Sequence, residues 1–206
     1  MRVALVGGTG PFGKALAVRL REAGFDVVVG SRDLDRATAT ASELGVDGAT
    51  NVEAVAGADL VVLAVNADAA LDTARKLRKA IGATPVLSVA SDLRFTPDGV
   101  VLAIDRMSLA ERIQKELKAP VVAGLHTLAA SNLGAAALPD EDTLVCGDDP
   151  DAKALALELA ERITSGRALD AGPLASARAL EGMTAVIVNL NKRYRGHAGL
   201  RVTGLP

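Results

Sequence analysis

The chain alternates short, unbroken apolar runs with longer amphipathic segments from its first residues onward. Val3-Ala4-Leu5-Val6 has no polar position, which predicts a strand buried on both faces of a parallel sheet. Pro11 suits the first turn of a helix, where its missing N–H costs nothing. That helix is expected over 11–23, ended by Gly24. The rhythm then repeats. Strands are predicted at 26–30, 59–64, 85–88 and 121–125. Helices are predicted at 33–44 (stopped by Gly45), 51–56, 67–81 and 107–117. Alternation of this kind predicts a doubly wound α/β fold with a parallel sheet. The remainder is less regular. Residues 143–146 and 167–170 read as short strands, and Asp149-Pro150 reads as an N-cap followed by a first-turn proline opening a helix over 151–163. A long last helix is predicted over 173–193, with Leu174, Ala177, Leu180, Met183, Ile187 and Leu190 at three- and four-residue spacing. Val186 and Val188 widen that stripe beyond one face, so the helix needs a second cover: a homodimer interface or a wall of the substrate cleft. Residues 96–99 and 134–141, the latter carrying Pro139, read as exposed loops.

Composition narrows the classes. The chain has 206 residues, half of them apolar, enough for one sizeable core. Its net charge of −2 gives no global basic field for nucleic acid. The single cysteine, Cys146, excludes an internal disulfide and a cysteine-based zinc site, and two histidines are too few for a histidine-rich metal cluster. No apolar run is long enough to span a membrane. The first strand begins at the N-terminus with no charged leader, so a cytoplasmic protein is expected.

The turn after the first strand carries the chemistry. Gly8-Thr9-Gly10-Pro11-Phe12-Gly13 has the glycine spacing of a Rossmann-type dinucleotide site: a tight turn, close backbone approach to a diphosphate, and close helix–strand packing. The diphosphate is expected at the helix N-terminus, where free N–H groups favour an anion. About twenty residues later, where a site for NAD usually carries a carboxylate for the ribose 2′-hydroxyl, this chain has Ser31 and Arg32, with Arg36 one turn on. Guanidinium and hydroxyl donors suit a 2′-phosphate, so NADP(H) is expected over NAD(H).

The reacting end of such a cofactor lies beyond the carboxyl ends of the strands. Val65-Asn66-Ala67, the segment 88–91 and His126-Thr127-Leu128 fall there. None forms a convincing nucleophile–base pair, and Tyr194 is the sole tyrosine. Ketone reduction needs a proton donor; a delocalised ring accepting hydride needs mainly orientation and proximity. No residue is assigned to catalysis outright. His126 is either an orienting or proton-donating group or a structural histidine. Asn66 either holds the ribose or carboxamide or caps a loop, and Ser88 and Ser91 are site or turn residues. Residues 189–206 contain Lys192, Arg193, Arg195 and Arg201 and no acidic residue. That segment is either a solvated end or an electrostatic lure for an anionic substrate.

With these residues in view, the chain resembles the NADPH:coenzyme F420 oxidoreductases of archaea and actinobacteria, nearly end to end. The resemblance rests on the strand leading into Gly7-Gly8-Thr9-Gly10 and on Val28-Val29-Gly30-Ser31-Arg32. More specific are Leu125-His126-Thr127, Val145-Cys146-Gly147-Asp148-Asp149, Leu169-Asp170-Ala171-Gly172-Pro173-Leu174, and the region of Gly199-Leu200. It implies hydride transfer between the nicotinamide of NADP(H) and the deazaflavin ring of coenzyme F420, without a metal. It places Thr9, Gly10, Pro11 and Phe12 at the diphosphate, and Ser31, Arg32 and Arg36 at the 2′-phosphate. Val65, Asn66, Leu128 and Ala130 would border the reacting rings, while Ala198 and Gly199 would close over the deazaflavin. The anionic tail of that coenzyme suits the basic C-terminal segment. Archaeal members carry Ile-Pro-Trp at Val65-Asn66-Ala67 and Thr-Ile-Pro-Ala at Thr127-Leu128-Ala129-Ala130, so the acceptor side departs from the family pattern more than the NADP side. Residues 1–139 are expected to form the NADP-binding domain and 140–206 a smaller part completing the deazaflavin cleft, or both one continuous domain. The competing expectations are a reductase of another acceptor (a flavin, a metal chelate or an imine) and a non-catalytic NADP(H) sensor.

Overall fold

The computed structural model describes residues 1–205; Pro206, the last residue of the basic segment, lies outside the described residues. In chain order the elements are β1 Arg2–Val6, α1 Pro11–Glu22, β2 Asp26–Ser31, α2 Leu34–Leu44, β3 Asp47–Thr50, α3 Asn51–Val55, β4 Leu60–Leu63, α4 Ala67–Ile81 and β5 Val86–Ser88. They continue with β6 Leu93–Thr96, β7 Gly99–Leu102, α5 Leu109–Glu116, β8 Val121–Gly124, α6 Ala130–Leu133, β9 Thr143–Gly147, α7 Pro150–Ile163, β10 Ala168–Asp170 and α8 Ala177–Tyr194.

Eight strands form one sheet in the order β10-β9-β8-β5-β4-β1-β2-β3, and β6 and β7 form a separate hairpin. The apolar runs are buried from both sides, as their lack of polar positions demands. Ala4 and Val6 of β1 belong to one core layer, with Val61 and Leu63 of β4. Val3 and Leu5 belong to the other, with Leu60 and Val62. Side chains alternate across each strand, so one run feeds both layers.

Four expectations change. The sheet is mostly but not wholly parallel, because β9 runs antiparallel to β8. The link between them contains only the single turn α6, and no long helix crosses the sheet face as a parallel neighbour requires. The exposed loop expected at 96–99 is present, but it is the turn of an unpredicted hairpin, β6–β7, in register from Leu93↔Leu102 to Thr96↔Gly99. The segment 134–141 is exposed over 134–138 and at Asp140, but Pro139 and Glu141 are buried. The last helix starts as a 3-10 turn at Leu174–Ser176 before becoming α8. After α8 the chain does not end but folds back: Asp142 N–H donates to the Leu200 carbonyl at 2.7 Å.

Candidate functional site

The sheet reverses its direction of growth between β1 and β4: β2 and β3 extend one side, β5 and β8 the other. That switch point opens a crevice at the strands' carboxyl ends. The glycine turn sits in it, and its glycines have separable causes. A Cβ on Gly13 would lie 2.6 Å from Gly8 Cα, and one on Gly8 would lie 3.0 Å from the Leu5 carbonyl and from Val29 Cγ1. The fold itself forbids side chains there. A Cβ on Gly10 would meet only the Gly7 carbonyl, at an ordinary 3.5 Å, so the protein leaves that space open. Gly10 is the N-cap of α1, makes no side-chain cap, and is followed by a first turn without an acidic residue. Those free N–H groups face an anion site.

A cavity of about 210 Å³ brings together Thr9, Gly10, Ser31, Arg32, Arg36 and the pair Val65-Asn66. Two carboxylates neighbour the arginines in sequence: Asp33 Oδ1 caps α2 by accepting from Arg36 N–H at 3.2 Å, and Asp35 is exposed in the first turn of α2. Ser31 Oγ accepts from Asp33 N–H, also at 3.2 Å. Arg32 and Arg36 are exposed and line the cavity. A neighbouring cavity of about 260 Å³ runs from Ser31 and Arg32 past Asn51 and Val52 to Lys76 on α4. Sequence reasoning missed Asn51, whose buried Oδ1 has no hydrogen-bond partner. It follows β3, a strand that went unpredicted.

A third cavity, about 680 Å³, holds Phe12, Val65, Asn66, Ser91, Phe95 and Arg112. Val65 and Asn66 line both this space and the phosphate cavity, so the two adjoin. Asn66 is the N-cap of α4 yet its side chain makes no capping bond. The loop-capping reading of that residue therefore fails.

At the ends of the adjacent strands β5 and β8, Ser88 Oγ, Thr127 Oγ1 and both ring nitrogens of His126 are buried without hydrogen-bond partners. Such orphaned groups cost stability unless something else satisfies them. Burial pushes the His126 pKa down to about 4, with the Ala90 backbone acting weakly the other way. Burial thus favours the neutral imidazole, which suits an orienting or structural role better than that of an imidazolium proton donor. The preceding Leu125 is buried at φ +61°, a left-handed conformation that a leucine adopts only when its surroundings impose it. Thr184 of α8 supplies part of that constraint. Its hydroxyl donates to the His126 carbonyl at 2.8 Å. With that one proton used, the 2.7 Å contact to Ser91 has Ser91 as donor. Sequence reasoning also missed Thr184; its signal was a hydroxyl inside an otherwise apolar stripe.

Arg112, on the wall of the 680 Å³ cavity, pairs with Asp92. Behind it, Glu181 of α8 is buried and accepts from Ala110 N–H at the start of α5. Burial raises its pKa to about 7, against backbone N–H groups of Ala110, Leu109 and Asp92 and the charge of Arg112. The native state thus keeps a proton that the unfolded chain releases, so this group's contribution to stability falls as pH rises from about 4.5 through about 7. Glu181→Gln is expected to flatten that decline by about 1–3 kcal/mol in urea unfolding compared at pH 5 and pH 8. Parallel profiles for variant and wild type would remove Glu181 as its source.

Leu128, Ala130, Ala198 and Gly199 do not line these cavities. Leu128 is buried in the core, whereas Ala130 lies on α6 and Ala198 and Gly199 on the segment after α8, and these two elements meet. Ser131 Oγ lies 3.1 Å from His197 Nδ1, and Ala198 N–H donates to Asn191 Oδ1 at 2.5 Å. Phe12 lines the 680 Å³ cavity and packs on the core layer that contains Leu125, Leu128 and Leu133. Of the four basic residues near the C-terminus, Lys192, Arg193 and Arg195 are exposed, whereas Arg201 is paired with Asp140.

Residues 2–92 match the family described as NADP oxidoreductase coenzyme F420-dependent. Over its full length the chain is 37% identical to the F420-dependent NADP reductase of Methanothermobacter thermautotrophicus, covering 96% of that protein. It is 30% identical to the enzyme of the same name from Methanocaldococcus jannaschii, covering 99% of it. A crystal structure from Arthrobacter sp. FB24, described as an F420-dependent NADP-reductase, superimposes with a TM-score of 0.86 at 26% identity, covering 99% of this chain and 100% of that one.

Proposed function

The chain belongs to the family of F420-dependent NADP reductases, and we propose that it transfers a hydride directly between NADP(H) and coenzyme F420. The observation that carries the reading is the adjacency of two cavities: the arginine-lined phosphate cavity and the larger cavity beside it share Val65 and Asn66 as a common wall. The residues fit the dinucleotide, with a Gly10 position left open by the fold, an uncapped helix N-terminus, and Ser31, Arg32 and Arg36 for the 2′-phosphate.

Both carriers move two electrons as hydride, so the protein's tasks are to bind, align and exclude water. Gly8, Thr9, Gly10, Pro11, Phe12 and Gly13 seat the diphosphate. Val65 and Asn66 sit on the wall shared with the larger cavity, and His126, neutral and buried, orients the ring end. Leu128, Ala130, Ala198 and Gly199 take the deazaflavin side. No acid–base pair is required, and the neutral His126 fits that economy.

The deciding experiment mixes the protein with NADPH and oxidised coenzyme F420 and follows loss of the deazaflavin's visible band, with NADH as control. Rapid bleaching with NADPH alone supports the reading. Bound NADPH without bleaching shifts the acceptor to a flavin, metal chelate or imine; no oxidation by any acceptor favours a sensor.

Lys192, Arg193 and Arg195 serve in this reading as the lure for the anionic coenzyme tail. Replacing all three by Gln is expected to raise KM for coenzyme F420 and flatten its salt dependence. Equal salt dependence in variant and wild type would remove the lure.

The same reading includes a homodimer and a cytoplasmic location. Val186, Leu190 and Tyr194 of α8 and Val101 of β7 are exposed, and a second copy would cover them; a monomer in light scattering argues against it. Among the described residues no helix is long and apolar enough to cross a membrane. Residues 1–139 act as the NADP-binding part and 140–206 as the acceptor part. The division is one of function, since β9 and β10 extend the same sheet.

A further inference from the structure

We propose that Glu141 is a positioning residue for the acceptor site, its buried carboxylate fixing the gap between α6 and residues 197–200. This rests on the deazaflavin reading above, which puts Ala130 on one of those walls and Ala198 and Gly199 on the other. Glu141 is only 3% exposed. On one side, its Oε1 accepts from Asn132 Nδ2 of α6 at 3.0 Å. On the other side, Oε2 is buried without a hydrogen-bond partner and lies against Gly199, where a Cβ would come within 2.6 Å of it and 2.9 Å of Glu141 Cβ. One side chain therefore touches both walls.

Its own position is over-determined. A Cβ on Gly166 would come within 2.2 Å of the Glu141 carbonyl, so that backbone has no freedom to retreat. The next residue, Asp142, fastens the returning chain. Its N–H donates to the Leu200 carbonyl at 2.7 Å, and its Oδ2 accepts from Val202 N–H at 2.9 Å and from Arg167 Nη2 at 2.8 Å. The strap is thus anchored at 200–202, and Glu141 sets how closely residues 198–199 approach α6. The Ser131–His197 contact also joins the walls, but both residues are exposed and so constrain them less. Burial pushes the Glu141 carboxyl above its ordinary range, with the Asn132 amide and the Leu200 backbone opposing. The role argued here is steric and needs no titration. Gly199 acquires a cause independent of any ligand: a side chain there drives the strap away from Glu141.

The test is a double-mutant cycle read by equilibrium quenching of coenzyme F420 fluorescence, by KM and kcat, and by hydrogen exchange of residues 196–203 without ligand. Gly199→Ala is expected to weaken coenzyme F420 binding about tenfold, to leave NADPH affinity within about twofold, and to speed exchange of the strap. Glu141→Gln, which keeps length and acceptor, is expected to stay within about threefold of wild type. In the Glu141→Ala background, where the space is vacated, Gly199→Ala is expected to add less than about twofold, the signature of direct coupling. Equal effects of Gly199→Ala in both backgrounds would overturn the proposal. So would a parallel loss of NADPH affinity. If Glu141→Ala fails to fold, Glu141→Ser vacates the same space with a smaller loss. A wild-type protein that neither binds nor reduces coenzyme F420 would instead overturn the acceptor assignment.

Discussion

Replacing Arg32 by alanine is expected to raise KM for NADPH by about 10- to 150-fold, equivalent to about 1.5–3 kcal/mol for a charge-assisted contact. KM for NADH should stay within about twofold, because NADH lacks the phosphate. Arg32 lines the phosphate cavity beside Ser31 and Arg36, and three features concentrate the effect on it. Of the two neighbouring carboxylates, Asp33 is committed to capping α2, and Asp35 is exposed in the first turn of that helix and does not line the cavity. Ser31 is buried, its hydroxyl already accepting from Asp33 N–H, so it contributes its remaining proton and little charge. Arg36 lies in the first turn of α2 and supplies a second cation without the strand-tip geometry. Arg32→Lys should fall between alanine and wild type, since an ammonium keeps the charge but not the planar fork. An unchanged KM for NADPH in Arg32→Ala would remove the 2′-phosphate site from this end of β2.

What the sequence reveals of the fold is what local patterning dictates. β1 and β4 are apolar without interruption because both faces are buried, and α4 falls at Ala67–Ile81 as its periodicity predicts. β3 is a four-residue edge strand, Asp-Gly-Ala-Thr, with no residue fully buried; an edge has no second neighbour to demand apolar side chains. α6 is one turn long and is held from outside. The buried Arg19 of α1 donates to the Leu133 carbonyl at 2.6 Å and the Ala137 carbonyl at 2.9 Å, and no helical propensity encodes that. β6 and β7 show no regular alternation, with Arg94 and Phe95 both exposed and Val100 alone buried, and they are pinned to α8 by Asn189, whose amide bonds both the N–H and the carbonyl of Val100.

The same division runs through the site. The diphosphate turn and its arginines are legible because strand, turn and helix occur within one stretch of chain, and each residue's job follows from its place in it. The ring end is assembled from β5, β8 and α8, and its closure depends on Thr184 meeting a carbonyl 58 residues away. Glu141 was read as part of an exposed loop because its neighbours in sequence are small and polar; its burial comes from the returning C-terminal segment. Chemistry carried by backbone geometry is visible in a single sequence, whereas chemistry carried by contacts between distant loops is not.

Gly10→Ala and Gly13→Ala should fail in opposite ways, although both change one hydrogen to a methyl in the same turn. Gly13→Ala places a Cβ 2.6 Å from Gly8 Cα and 2.8 Å from the Gly7 carbonyl. Both obstacles are backbone in a packed turn, so relief requires α1 to shift from β1. A loss of about 3 kcal/mol or more of unfolding free energy is expected, the upper end of overpacking or beyond, with cofactor affinity lost as a consequence. Gly10→Ala meets nothing closer than 3.5 Å, and its backbone is extended, at φ −79° and ψ 167°, which alanine adopts freely. Its unfolding free energy should change by less than about 0.5 kcal/mol, as at a surface position. The methyl instead occupies the space through which a diphosphate reaches the first N–H groups of α1, so NADPH affinity should fall by roughly two orders of magnitude, again the upper end of the overpacking range. Calorimetry of the apo proteins and NADPH titration separate the two effects. A Gly10→Ala protein that binds NADPH normally would mean that the diphosphate does not cross that residue, and the open space at the helix N-terminus would need another occupant.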